Sequence, residues 1–347
     1  QLSDGQLYPR SPTGPWIAHL EIIRPQSHAA RLLELPDGTL LLAWFTGLKE
    51  GSAGVVIALS RLEPGEMAWS KPEVISEFDG RSNQNPVLFQ DPESGEIWLW
   101  HTSQADGVGQ GSAFLAIATS KDGGKTWGRA HKHRQFLMNG PFVKGKFLIG
   151  QNGDWLMPMY YTPNGYSKFE THYSVMHRSS NRGKTWQPAA MTTKGQMLAQ
   201  PTVVRHPKTG WLQAFFRDRR GESIYMSTST NDGKSWDTSD RGAKKTELPN
   251  NNSGIQAIYL ANGHLVMAFN NRVGYKRNPL SLAVSEDGGE TWPFVRDLEV
   301  GGMLDEVEPK SEEARYSYPC LHQTRDGRIH VAFTYRRVTI KHVIVDE

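Results

Sequence analysis

The chain has 347 residues, a formal net charge of +3 and 37% hydrophobic residues, which fits an ordinary globular chain long enough to bury a large core. It lacks the run of roughly 18 apolar residues that a membrane-spanning helix needs, and its mild basicity comes without Lys/Arg blocks, which argues against a nucleic-acid footprint. The single cysteine, Cys320, excludes an internal disulfide, while 11 tryptophans and 34 glycines suit short strands joined by tight turns.

Taken in chain order, the sequence repeats itself. A strand at 29–35, the turn Asp37-Gly38, and strands at 39–45 and 55–61 lead to a worn octapeptide ending at Trp69. The second unit runs through 86–90, Ser94-Gly95, 96–101 and 114–120 to a full copy, Ser120 to Trp127, of the form S-x-D-x-G-x-T-W. The third has Asn152-Gly153, 154–160 and 173–180, and the octapeptide Ser179 to Trp186. The fourth has 201–206, Thr209-Gly210, 211–217 and 223–229, and Ser229 to Trp236. The fifth has 255–260, Asn262-Gly263, 264–270 and 280–286, and Ser285 to Trp292. The sixth has 319–324, Asp326-Gly327, 328–334 and 340–345, and then the chain ends.

The octapeptide tryptophans lie 58, 59, 50 and 56 residues apart, and a fixed period in this range means a solenoid, propeller or array. The octapeptide is a turn. Its Asp or Asn accepts backbone hydrogen bonds from two and three residues on, and its Trp is expected to start the next strand with the ring buried between sheets. Four short antiparallel strands, six times over, predict a six-bladed β-propeller occupying residues 1–347 as one domain. The last unit lacks a fourth strand, and 17–24 is expected to supply it and close the ring.

Strand direction then locates a site. The starts of the first strands and the ends of the second share one mouth of the central axis, opposite the octapeptide turns. The residues ten before each repeat glycine are His28, Asn85, Val143, Gln200, Ser253 and Ser317, followed by Ala29, Pro86, Lys144, Pro201, Gly254 and Tyr318. The second strands add His101, Thr102, Tyr160, Arg217, Asn270 and Thr334, and a loop carrying His172 is placed to cover the mouth. Convergent polar groups of this kind mark a ligand site. Asn85, Gln200 and Asn252 read as groups that orient a sugar or the backbone.

The octapeptides and the six-fold pattern resemble the sialidase (neuraminidase) superfamily with its Asp-box repeats. The segments SHAARLLELPDGTLLLAWFTG, NPVLF, NSG, YSYP and HVAFTYRR resemble its BNR repeat-like, predicted-neuraminidase branch. The resemblance implies an arginine trio for a sugar carboxylate, with Arg217 and Arg277 at the second and third positions and Tyr318 at the tyrosine. Ser27-His28-Ala29 stands where the first arginine is expected. The acid Asp is also missing, and Glu50 is the one carboxylate in that loop, with Glu170 a second loosely placed carboxylate. Some relatives are lyases or glycosidases acting beside uronic acids. The resemblance therefore favours a glycan-cleaving enzyme, a polysaccharide lyase ahead of an exo-sialidase, with an acidic-glycan-binding propeller as the non-catalytic alternative.

For elimination, Arg217 is expected to neutralise the carboxylate, with Arg277 or Lys144 assisting. His28 is expected as acid or base because a histidine changes charge near neutral pH, and His101 or Tyr318 completes the pair. The expected partner is an acidic oligo- or polysaccharide, with no cofactor, metal, nucleic acid or membrane, and the chain is expected to be a secreted or periplasmic monomer.

Overall fold

A computed structural model describes residues 3–12, 14–237, 243–300 and 315–347. Six antiparallel sheets succeed one another along the chain, and the described residues hold no α-helix. Blade one is Gln26–Glu34, Leu40–Gly47, Val56–Leu62 and Glu73–Ser76, and blades two, four and five repeat this order. The turn between the first two strands of each blade needs a left-handed residue, and glycine stands there every time, from Gly38 to Gly327.

The ring closes as the repeat predicts. In blade six, Tyr316–Gln323, Ile329–Tyr335 and Thr339–Val345 are joined by Trp16–His19, with Ile17 opposite Val343, and Tyr8–Pro9 adds a fifth strand. The closing strand stops at His19, earlier than expected. The chain must there leave the rim of blade six and cross to the innermost strand of blade one.

Between blades, the inward and outward faces of neighbouring sheets interdigitate in six apolar clusters. Trp44, Trp100 and Trp155 are fully buried in them, and burying a large apolar side chain contributes roughly 1.5–3 kcal/mol. The octapeptide turns lie on the face away from the mouth. Asp122 accepts from the hydroxyl of Ser120 (2.8 Å), and from the N–H (2.9 Å) and hydroxyl (2.5 Å) of Thr126. The reach is four residues, longer than the two or three expected. Trp127 precedes the next strand, which resumes at His131–Lys132, and its Nε1 donates to Gly124 O (3.2 Å).

Two departures from regularity shape the mouth. In blades one, two, four and six the first strand carries a bulge, between His28 and Arg31, Gln84 and Val87, Ala199 and Thr202, and Ser317 and Cys320. Ala29, Asn85, Gln200 and Tyr318 occupy these bulges with φ of 50–59°, and Asn252 has φ 54° at the matching place in blade five. A bulge re-aims its side chain, so four blades are bent at the same level, while in blade five Asn252 precedes the first strand, Gln256–Tyr259.

In blade three the first strand is split into Pro141–Val143 and Leu148–Ile149. The split falls opposite Pro158, which sits in the middle of the second strand and has no N–H to offer the ladder. Lys144 leaves the sheet there. Deeper in the axis, buried Arg31 bridges the ring by donating to Gln256 Oε1 (2.8 Å) and to the carbonyl of Lys144.

Candidate functional site at the mouth of the axis

The bulged residues and the second-strand ends form one buried network. The Tyr318 hydroxyl oxygen accepts from Arg217 Nη1 (2.7 Å) and Gln200 Nε2 (3.0 Å). Arg217 also donates to Gln200 Oε1 (2.9 Å) and, from Nε, to Asn252 Oδ1 (2.8 Å). Gln200 Nε2 reaches the Tyr160 hydroxyl (3.0 Å), and Asn85 Nδ2 approaches the same oxygen (3.4 Å). Side chains from blades two to six are thus linked through Arg217 and Tyr318.

Charge gathers around that tyrosine. The Arg277 guanidinium stands 5.4 Å and Lys144 Nζ 5.3 Å from the centre of its ring. Lys144 Nζ donates to the carbonyl of Ile255 (3.1 Å), passing Gly254 so closely that a Cβ there would lie 2.5 Å from Lys144 Cε. Burial, with Arg31 and Arg217 adding, pushes the Lys144 ammonium down to about 7. Burial likewise lowers Arg277 to about 10, with Arg217 and Arg337 among the groups that add to the effect. Burial alone would raise the Tyr318 phenol. Arg217 and Arg277 reverse this and hold it below its ordinary value.

Arg337 was not among the residues expected here. It lies in the blade-six hairpin with φ 64° and donates to Glu50 Oε2 (2.7 Å). Burial works to raise the Glu50 carboxyl, but Arg337, by charge and hydrogen bond, and then Arg277 and Arg217 hold it below its ordinary value. Glu50 is therefore ionised at neutral pH, a counter-ion rather than a proton donor. The signal for Arg337 was available, because a hairpin between second and third strands lies on the mouth face in every blade.

The histidines fall in different places. His28 is buried with its ring 4.2 Å from that of Tyr318, and its Nδ1 pairs with Thr334 Oγ1 (2.6 Å). Burial first, then Arg337, Arg277, Lys144 and Arg217, hold it far below the ordinary histidine value, so it is neutral. That corrects the expectation of a charge change near neutral pH. His172 bonds through Nε2 to Gly165 O (2.8 Å), tying its loop, and burial lowers it to about 4, with Arg219 and Arg217 contributing.

His101 is held apart from the network. It bonds to Ser76 Oγ (2.7 Å) and lies against Phe78 between blades one and two. It occupies the repeat position of Phe216, Phe269 and Phe333, which face neighbouring blades, whereas Thr102, Tyr160, Arg217, Asn270 and Thr334 share the inward position. Four cationic side chains thus face one carboxylate around a two-donor tyrosine oxygen. Such a concentration of positive charge is suited to an anion held beside Tyr318.

A family model described as a BNR repeat-like domain matches residues 38–331. No curated protein matches the chain. Among solved structures, the Hadza microbial sialidase Hz136 superimposes with a TM-score of 0.75 at 16% identity, over 93% of this chain and 66% of that one. The NanB sialidase of Streptococcus pneumoniae gives 0.73 at 14%, over 93% and 68%. The chain spans about two thirds of the length of each. A Dyadobacter fermentans protein of unknown function gives 0.71 at 19%, over 94% of this chain and 98% of its own.

Proposed function

The chain belongs to the BNR repeat-like family, and we propose that it cleaves a glycan beside a carboxylate-bearing sugar, by β-elimination at a uronate. The observation that carries this is the Tyr318 oxygen, which accepts hydrogen bonds from Arg217 and Gln200 and has Arg277 over its ring. Arg217 and Arg277 hold the sugar carboxylate and spread the charge that develops when its α-carbon loses a proton. Tyr318, as the phenolate that Arg217 and Arg277 favour, takes that proton and becomes the phenol. The released electron pair forms the ring double bond, the C–O bond at the 4-position breaks, and Tyr318 returns the proton to the leaving oxygen. Lys144 and Arg337 add positive charge to the pocket, and His28, held neutral, adds none; none of the three carries the proton.

Hydrolysis of a terminal sialoside is the second reading, favoured by the same tyrosine and arginines and by likeness of fold to proteins named sialidases. It needs a protonated acid, and Glu50 is held ionised by Arg337. The test is incubation with a panel of uronate polysaccharides and sialosides, following the short-wavelength ultraviolet absorbance of an unsaturated uronate and release of sialic acid. Rising absorbance that Arg217→Ala abolishes supports elimination. Sialic acid release with flat absorbance overturns it.

A further inference from the structure

Grooves recur where the outer part of one blade meets the octapeptide turn of the next, and their walls come from fixed repeat positions. Between blades two and three, Trp98, Ile117 and Lys184 line a groove of about 800 Å³ together with Lys132 and Arg134. Between blades four and five, Gln213, Met226 and Glu290 stand at the three matching positions, and Asp237 and Asp287 join them. Between blades five and six, where no octapeptide follows, Val266 and Leu282 stand at the two matching strand positions, with Phe294 and Val295 and the charged Glu286, Arg296 and Glu347 beside them. One architecture carries three chemistries, so the fold does not impose the basic character of the first groove.

No acidic residue is among the described residues lining the first groove, and Lys132, Arg134 and Lys184 are exposed. Trp98 is braced, with its ring edge-on to Trp155 (centroids 5.3 Å, 80°) and parallel to Trp100 (6.1 Å, 16°). Lys132 Nζ stands over the Phe114 ring (4.7 Å), and fixed aromatic surface beside these exposed cations suits a chain that offers both sugar faces and negative charge.

We infer that this groove is a second binding site, remote from the mouth, for a segment of an acidic polysaccharide. Trp98 packs against a sugar ring while Lys132, Arg134 and Lys184 meet its carboxylates. The preference for a polyanion stands on the groove alone; the choice of a glycan rests on the function proposed above.

The test uses the full chain, polygalacturonate as probe, dextran and single-stranded DNA as controls, and affinity electrophoresis as readout. The double variant Arg134→Glu/Lys184→Glu puts at 184 the residue type that Glu290 already supplies in the sister groove. It is expected to bind polygalacturonate about tenfold more weakly. It should keep wild-type turnover of whichever short oligosaccharide the chain cleaves, while Arg217→Ala loses turnover and keeps retention by the polymer. Undiminished retention of the double variant overturns the site. Equal retention on dextran overturns the role of charge, and DNA binding as tight as polygalacturonate binding overturns the assignment to a glycan. Retention by polygalacturonate that the double variant loses, with no uronate cleaved by any form of the chain, keeps the site and removes the function proposed for the mouth.

Discussion

Lys144→Met is the substitution whose consequence is sharpest. Lys144 is a buried cation among cations, and its ammonium is depressed to about 7 against an ordinary 10.5. Below pH 7 both the folded and the unfolded chain carry the charge, so the folded state bears the whole penalty. At about 1.36 kcal/mol per pH unit that penalty is on the order of 5 kcal/mol. Between 7 and 10.5 the folded lysine is neutral while the unfolded one is still charged, so the penalty shrinks as pH rises, and above 10.5 it is gone.

Methionine keeps the volume and removes the charge, at the loss of the hydrogen bond to Ile255 O, worth roughly 1.5–3 kcal/mol. The net expectation is a variant about 2 kcal/mol more stable than the parent at pH 6 and no more stable at pH 10. Urea unfolding at both pH values checks this. Equal destabilisation at both would refute the reasoning. Stabilisation with loss of anion binding would show a charge kept for function against stability.

Other consequences follow from the same network. Tyr318→Phe removes the acceptor of Arg217 Nη1 and Gln200 Nε2, and should abolish turnover while costing about 1–3 kcal/mol, read by assay and by urea midpoint. Gly254→Ala places a Cβ 2.5 Å from Lys144 Cε and should cost roughly 1–3 kcal/mol, a clash that the double variant with Lys144→Ala removes and the double variant with Lys144→Met does not. Glu50→Gln uncouples Arg337. Because the Glu50 carboxyl is lowered in the folded state, its stabilising effect is present above the ordinary carboxylate range and is lost as pH falls through the folded value. Parent and variant should therefore differ most at neutral pH and converge in acid, as thermal unfolding across pH would show.

The octapeptide and glycine turns were legible because each depends on a few side chains at fixed spacing. The closing strand was legible because a ring of sheets leaves one unit short. Strand direction alone points to Arg217, Gln200 and Tyr318, which do meet at the mouth, and Asn252 joins them there. The bulges were not legible. Asn85, Gln200, Asn252 and Tyr318 take left-handed backbone without being glycine, and nothing in the sequence marks that. In blade five the network residue is Asn252, one before the expected Ser253, and in blade six it is Tyr318, one after Ser317. His101 was misplaced for a simpler reason. Alternation along the strand puts it in register with Phe216 and Phe269, not with Arg217, and that comparison was open from the repeats. Burial and neighbouring charge, which neutralise His28 and ionise Glu50, depend on distances that no local pattern encodes.

The most direct test of the mouth's chemistry is mass spectrometry of the products formed from a uronate oligosaccharide in heavy-oxygen water. Elimination at Tyr318 predicts an unsaturated fragment lighter by one water, with no heavy oxygen taken into either new end. Heavy oxygen in the new reducing end, with no unsaturated fragment, would contradict the account and assign the mouth to hydrolysis.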